Sequence, residues 1–460
     1  VAFLVKYLLD DNPNKNNNRN QYYPYNDKFH ELCFFSKLGT TKNSFFLFRN
    51  ISEKQPNISK FARLLNPAYL MNYLSKRRTA LGAMFFFVGL CFASWAARIP
   101  DIQAKFDLSE GELGTMLLFL PLGSLLGLPL AGWAVHRYGS RSVIIVGSFA
   151  YAMTLPLIGV SPSIFLLIPV LIIYGLLGNV MNISLNTQAL DLEDQMGKSI
   201  LASFHGLWST AGFVGAGLGA GMIFIGFVPE LHFVIVMGIA MVIIFSAQRF
   251  IVKDQKVSEK GGLVLKRPDS LLLRIGVIAF LGMMAEGCMF DWSGVYFKKV
   301  VMADPSLIAL GYVAFMGAMA SGRFVTDKIA ARFTKVAVIQ LSGILIFIGL
   351  ALAVAFPNIW IATIGFLIVG FGIASIIPLS YSIAGRSKLY SPSVALAMVS
   401  TISFFGFLLG PPFIGFIAEL FDLKISFALI AVNGIGITLL SSFRKKVFLI
   451  PQKIKKPVVV

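Results

Sequence analysis

Residues 112–141 read ELGTMLLFLPLGSLLGLPLAGWAVHRYGSR. An almost unbroken apolar run is followed by a turn built from glycine and basic residues. Roughly 20 apolar residues are enough for a helix to span the ~30 Å hydrocarbon core of a bilayer. A helix that is hydrophobic all round has to sit in lipid or in a very large core. Eleven more runs of this kind fall at about 79–98, 141–160, 163–188, 201–227, 231–250, 274–297, 307–326, 335–355, 359–384, 394–420 and 424–443. The chain therefore reads as an all-α integral membrane protein with twelve transmembrane helices.

The composition agrees. The chain is 56% hydrophobic and only 13% charged, with 42 Gly in 460 residues, and its mean hydropathy is +0.76. These values exclude a disordered chain or a disulfide-stapled secreted domain. Cys33, Cys91 and Cys288 are widely separated and show no metal-ligand spacing.

A net charge of +18 would suit nucleic acid, but its distribution points elsewhere. With a cytoplasmic N-terminus, the even-numbered connections hold about sixteen Lys and Arg, from Arg137 and Arg141 through Arg323 and Arg332 to Lys388. The odd-numbered connections hold about five: Arg98, Lys105, Lys298, Lys299 and Lys424. This bias predicts both termini inside, and no nucleic-acid partner.

Residues 1–70 differ in kind. They are Asn-rich (Asn12, Asn14, Asn16, Asn17, Asn18, Asn20), and all 16 Met lie from Met71 onward. Met71 opens a short polar segment before the first span, so the expectation is a native start there, with 1–70 a mis-assigned or disordered extension. The longest internal polar stretch, Ile251 to Leu273, divides twelve spans into six and six. The expected organisation is a six-helix bundle over 71–250, a cytoplasmic linker over 251–273, a second bundle over 274–446, and a tail over 447–460. Gly212-Phe-Val-Gly in span five and Gly406-Phe-Leu-Leu-Gly in span eleven sit six spans apart, as an internal duplication would place them.

The hairpin Gly132-Trp-Ala-Val-His-Arg-Tyr-Gly-Ser-Arg141 resembles the loop 2–3 signature of the major facilitator superfamily. Gly132, Arg137, Gly139 and Arg141 match, and His136 stands where that family usually has Asp. The second-half copy keeps Arg332. Four strings narrow the resemblance to a bacterial branch related to sugar (fucose-type) permeases: Ala97-Arg98-Ile-Pro-Asp101, Asn182-Ile-Ser-Leu-Asn186, Ser203-Phe-His205-Gly-Leu-Trp208 and Glu286-Gly-Cys-Met-Phe-Asp291-Trp292. The resemblance implies two pseudo-symmetric six-helix bundles that rock around a midplane site, often with proton coupling. Drug exporters of the superfamily usually carry Gly-Pro in span five; here the Gly-Pro-Pro lies in span eleven.

Ionisable groups inside a span cost roughly 2.5–3.5 kcal/mol each, so each calls for an explanation. Glu286, mid-span, is the leading proton-coupling residue, with Asp291 beside it; the plainer reading of Glu286 is a structural hydrogen bond to a neighbouring helix. Asp291 lies about 7.5 Å farther along and about 140° round the helix. Arg98, closing span one, is expected to pair with Asp291 as a gate, unless it merely extends to the interface. Gating is also assigned to the hairpin residues and to Arg332. Asn179, Asn182 and Asn186 form one polar stripe on span four. The related permeases place a carboxylate near Asn182, whose amide does not titrate, so the coupling role passes to Glu286. His205, Trp208, Trp292 and Tyr381 complete the expected substrate surface.

Gly197-Lys198-Ser199 is no phosphate-binding loop, because Leu192 stands where that motif needs Gly. The four His (His30, His136, His205, His232) are scattered, and no nucleophile–base pair emerges, so an enzyme is not expected. The sequence points to a secondary transporter of the bacterial inner (plasma) membrane. It would carry a small polar solute such as a sugar by proton symport, with a proton-linked exporter as the alternative. No cofactor or metal is expected; the partners are the solute, protons and lipid, and the chain is expected to act as a monomer.

Overall fold

The computed structural model describes residues 67–197, 200–252, 267–387, 389–390 and 392–442. The expected extension before Pro67, most of the linker and the tail lie outside these residues. The chain divides into a unit ending at Tyr73 and a unit from Leu74 onward, and all packing described below belongs to the second.

Twelve helices long and apolar enough to cross a membrane run through the described residues, with no strand among them. They are α1 (Pro67–Ala96), α2 (Glu110–Tyr138), α3 (Ser140–Val160), α4 (Ile164–Met196), α5 (Leu201–Phe224), α6 (Pro229–Ala247), α7 (Ser270–Lys299), α8 (Leu310–Arg332), α9 (Lys335–Ala355), α10 (Ile359–Ala384), α11 (Pro392–Leu420) and α12 (Leu423–Ser442). A short helix, Ile99–Lys105, connects α1 to α2.

Helix starts follow from capping side chains. Ser109 and Glu112 form a reciprocal capping box at α2. Asp269, Thr334 and Asn358 accept from the first-turn amides of α7, α9 and α10. Several helices run past the apolar windows: α4 reaches Met196 and α8 reaches Arg332. Backbone hydrogen bonding continues into the polar layer, where apolar counting stops.

The contacts repeat with a period of six helices. α2 packs on α4 as α8 packs on α10, and α3 packs on α6 as α9 packs on α12. α1 meets α5 through Gly89 and Gly215, as α7 meets α11. The result is two pseudo-symmetric six-helix bundles. The seam between them is made by α2 against α11 and α5 against α8, again related by a shift of six. Seven prolines lie inside α2, α3, α4, α10 and α11, a residue that membrane-spanning helices tolerate.

Candidate functional site

The seam is sealed at the end carrying the α1–α2 connection. A Cβ on Gly114 of α2 would lie 2.8 Å from the carbonyl oxygen of Pro411 and 3.0 Å from Cα of Gly415 on α11. Only glycine allows the backbones to approach this closely. Glu419 accepts from the amide of Gly111 at 3.0 Å. Lys299 donates to Glu110 at 2.5 Å, and Lys298 to the carbonyl of Pro100 at 3.3 Å. Every one of these contacts joins the first bundle to the second.

At the other end α2 and α11 present open faces. Leu126, Leu128, Leu130 and Trp133 of α2 are exposed, as are Thr401, Phe405 and Leu409 of α11. His205, Asn182 and Ser321 are also exposed, although each lies inside a span. The hairpin between α2 and α3 turns at Gly139, whose φ of +81° needs a glycine. His136 and Arg137 project outward, with Arg137 over the Tyr138 ring at 5.8 Å. Among the described residues, neither Arg137, Arg141 nor Arg332 makes an ion pair.

Between the two ends lies a charged bridge. Arg323 of α8 donates from Nη2 to Oε1 of Glu286 on α7 at 3.0 Å, and from Nη1 to Oγ of Ser209 on α5 at 2.6 Å. One guanidinium thus holds a carboxylate of its own bundle and a hydroxyl of the other. Its Nε is buried without a hydrogen-bond partner. Tyr381 of α10 flanks the pair, its hydroxyl 3.5 Å from that of Ser403 on α11. Toward the sealed end, Phe290 of α7 sits at the centre of an aromatic cluster. Its ring makes edge contacts with Phe92 at 5.3 Å, Phe315 at 5.7 Å, Tyr312 at 6.3 Å and Trp208 at 6.4 Å. These rings come from both bundles and form a floor over the charged bridge.

Arg323 was missed from sequence: counting it with the cytoplasmic connection hid a mid-span cation. It lies nine residues before the end of α8, about 13.5 Å deep at 1.5 Å per residue. The available signal was that Arg323 falls inside the apolar window 307–326 and not after it.

The expected Arg98–Asp291 pair does not form. Arg98 donates to Asp101 at 3.2 Å, to Nδ1 of His232 at 3.1 Å and to the carbonyl of Phe227 at 2.7 Å. Asp101 is three residues away on the same turn, and the other two acceptors lie at or just after the α5–α6 connection, so all three guanidinium nitrogens donate inside the first bundle. Asp291 is buried and, among the described residues, makes no ion pair. Trp292, expected on the substrate surface, is fully buried with Nε1 unpartnered. On α4, Asn186 donates to Oδ1 of Asn182 at 2.9 Å. Asn179 packs at the α2 crossing beside Gly127. The amide stripe therefore spends part of its capacity on itself and on helix packing. His205 and Trp208 remain on the seam, beside Phe85 and in the aromatic floor. Among the described residues no group of three His, Cys, Asp or Glu could hold a metal ion.

A sequence profile of the Major Facilitator Superfamily matches residues 80–388. An uncharacterized MFS-type transporter of Yersinia pestis is 30% identical over 348 residues, covering 76% of this chain and 90% of that protein. Membrane protein MosC of Rhizobium meliloti is 31% identical over 369 residues, covering 79% and 89%. Among solved structures, the nucleoside transporter NupG superposes with a TM-score of 0.63 at 13% identity, covering 80% of this chain and 98% of that one. That last likeness concerns the fold.

Proposed function

Because the chain belongs to the major facilitator superfamily, we propose that this membrane transporter is a proton-coupled symporter of a small polar solute, working by alternating access. The observation that carries the reading is the Glu286–Arg323–Ser209 bridge. A carboxylate that can take or lose a proton there sits in direct contact with a cation that ties the two bundles together. Protonation of Glu286 weakens its hold on Arg323, and Arg323 is part of the seam. Proton uptake is thereby linked to the relative position of the bundles.

The basic bias of the even-numbered connections supports placing the α2–α3 end in the cytoplasm. The described arrangement is then the inward-open state, with the Gly114–Gly415 contact and the Lys299–Glu110 pair closing the periplasmic side. His205, Trp208, Tyr381 and the exposed amide of Asn182 supply hydrogen bonds and a stacking face suited to a hydroxylated solute such as a sugar.

The test begins with a thermal-shift screen of purified protein against sugars, polyols, amino acids and sugar acids. Ligands that stabilise it are then offered to proteoliposomes with an imposed pH gradient. Gradient-driven accumulation supports the reading. Equal uptake with and without the gradient removes proton coupling. Accumulation by inverted vesicles alone makes the protein an exporter.

A further inference from the structure

Arginine carries five N–H donors in a planar fork, and the fork matches a carboxylate in a two-bond, side-on fit. Arg323 uses that capacity incompletely. Its Nε and Nη2 share one edge; Glu286 takes only the Nη2 half, and Nε–H is left buried and unpartnered. Nη1 is held by Ser209, whose own hydroxyl donates to the carbonyl of His205 at 3.0 Å, so its oxygen is oriented to accept. The pair is also lopsided in access: the Arg323 side chain is 19% exposed and that of Glu286 only 6%. The cation, rather than the carboxylate, is the more accessible member of the pair.

An orphaned buried N–H is costly, of the order of 1–3 kcal/mol. Glu286 does not supply the missing bond. A solute carboxylate that displaced Glu286 from Nη2 would meet both donors of the Nε–Nη2 edge. It could not do so while Glu286 stayed charged, because one guanidinium would then face two anions. A proton on Glu286 removes the conflict: the site holds one cation and one carboxylate before and after, and its net charge does not change.

Resting on the symport reading above, we propose that Arg323 anchors a carboxylate of the transported solute, and that Glu286 holds its place in the empty site. One proton adds to the Glu286 carboxylate as one monoanionic solute binds, and both leave together on the other side. The solute is an organic monoanion, and a sugar acid combines this charge with the hydroxyls that Asn182, His205 and Tyr381 can bind.

The groups facing Glu286 are few. Arg323 comes from α8, and Tyr381 from α10 stands farther off. Asp291 shares its helix. α11 and α12 carry only Glu419 and Lys424 as charged groups, both at the α1–α2 end. His205 of α5 faces Arg323.

The experiment uses the purified full chain and matched probes: glucuronate and glucose, gluconate and sorbitol, lactate and 1,2-propanediol, benzoate and benzyl alcohol. Binding is read by intrinsic tryptophan fluorescence, to which Trp208 contributes, at pH 6 and pH 8. At least one carboxylate should bind tenfold or more tightly than its neutral mate, and more tightly at pH 6. Arg323→Lys keeps the charge but loses the fork, and should weaken that ligand at least tenfold. Glu286→Gln should bind it with little pH dependence. A Glu286→Gln/Arg323→Gln double variant removes both charges, so it folds without an unpaired ion, and should not bind the ligand. Neutral mates binding as well as acids, unchanged affinity in Arg323→Lys, or no carboxylate of the panel binding would each overturn the proposal. In proteoliposomes, carboxylate binding without gradient-driven uptake would end the symport reading and leave the anion site standing. Gradient-driven uptake of neutral mates alone would do the reverse.

Discussion

Lys299 of α7 donates to Glu110 of α2 at 2.5 Å, across the seam and at the sealed end. Both side chains are partly exposed, so solvent screens the pair and its contribution is about 0.5 kcal/mol. Glu110→Gln should therefore raise the population open at this end by about twofold, with little change in thermal stability. Spin labels at Thr115 and Phe416 would measure the distance distribution. An unchanged distribution would show that the pair decorates the seal without contributing to it.

The glycine contact beside it should matter far more. Gly114→Val puts side-chain atoms where the Pro411 carbonyl and Gly415 already stand, an overlap that relief of closure removes. The variant should fold but fail to seal, and transport should fall at least tenfold. In a Cys33→Ser/Cys91→Ser background, Cys288, buried when the seal is made, should react faster with a small thiol reagent added from the α1–α2 side. Normal transport by Gly114→Val would refute the close approach as the seal.

Arg98→Ala should act on stability instead. The guanidinium is buried and satisfies Asp101, His232 and the Phe227 carbonyl. Removing it leaves these acceptors without their donor, at a cost of about 3 kcal/mol. A thiol-reactive dye that reports exposure of Cys91 and Cys288 on unfolding would register this as a fall in Tm. A transport defect with unchanged Tm would restore a gating role to Arg98.

Arg323→Gln strands a buried carboxylate and should destabilise the protein by about 3 kcal/mol, most of which the added change Glu286→Gln should recover. Glu286→Gln alone should abolish proton-driven accumulation while leaving solute exchange largely intact. Counterflow and gradient-driven uptake, measured on the same proteoliposomes, separate the two. Unchanged gradient-driven uptake would exclude Glu286 as the coupling residue.

The spans were legible in the sequence because burial in lipid demands a long apolar run, and nothing else in a chain looks like that. The six-plus-six division was legible for a similar reason, since the polar stretch at 251–273 has no counterpart. Partner choice was not. Arg98 had two carboxylates within plausible reach, and only the fold brings His232 and the Phe227 carbonyl to the same guanidinium as Asp101. Arg323 was hidden by its company: three more basic residues follow within twelve positions, and a loop charge and a mid-helix charge look alike in a list. Trp292 misled in the opposite way. A large amphipathic ring beside Asp291 suggests a wall of the substrate site, but rotation about the α7 axis decides which face it occupies, and the ring is fully buried.

Two buried arginines stand at opposite ends of the first bundle. Arg98 fastens the end of α1 to the α5–α6 connection, and Arg77 fastens its beginning to Gln188, Asp191 and Gln195 of α4. Neither reaches the second bundle. The first bundle is thus tied at both ends of α1, to α4 at one and to the α5–α6 region at the other. Among the described residues, the bundles are joined by close glycine approaches, the Glu419, Lys298 and Lys299 bonds and the Arg323 guanidinium. If the bundles rock as proposed, these seam contacts are the ones that exchange, while the two arginine ties inside the first bundle need not break.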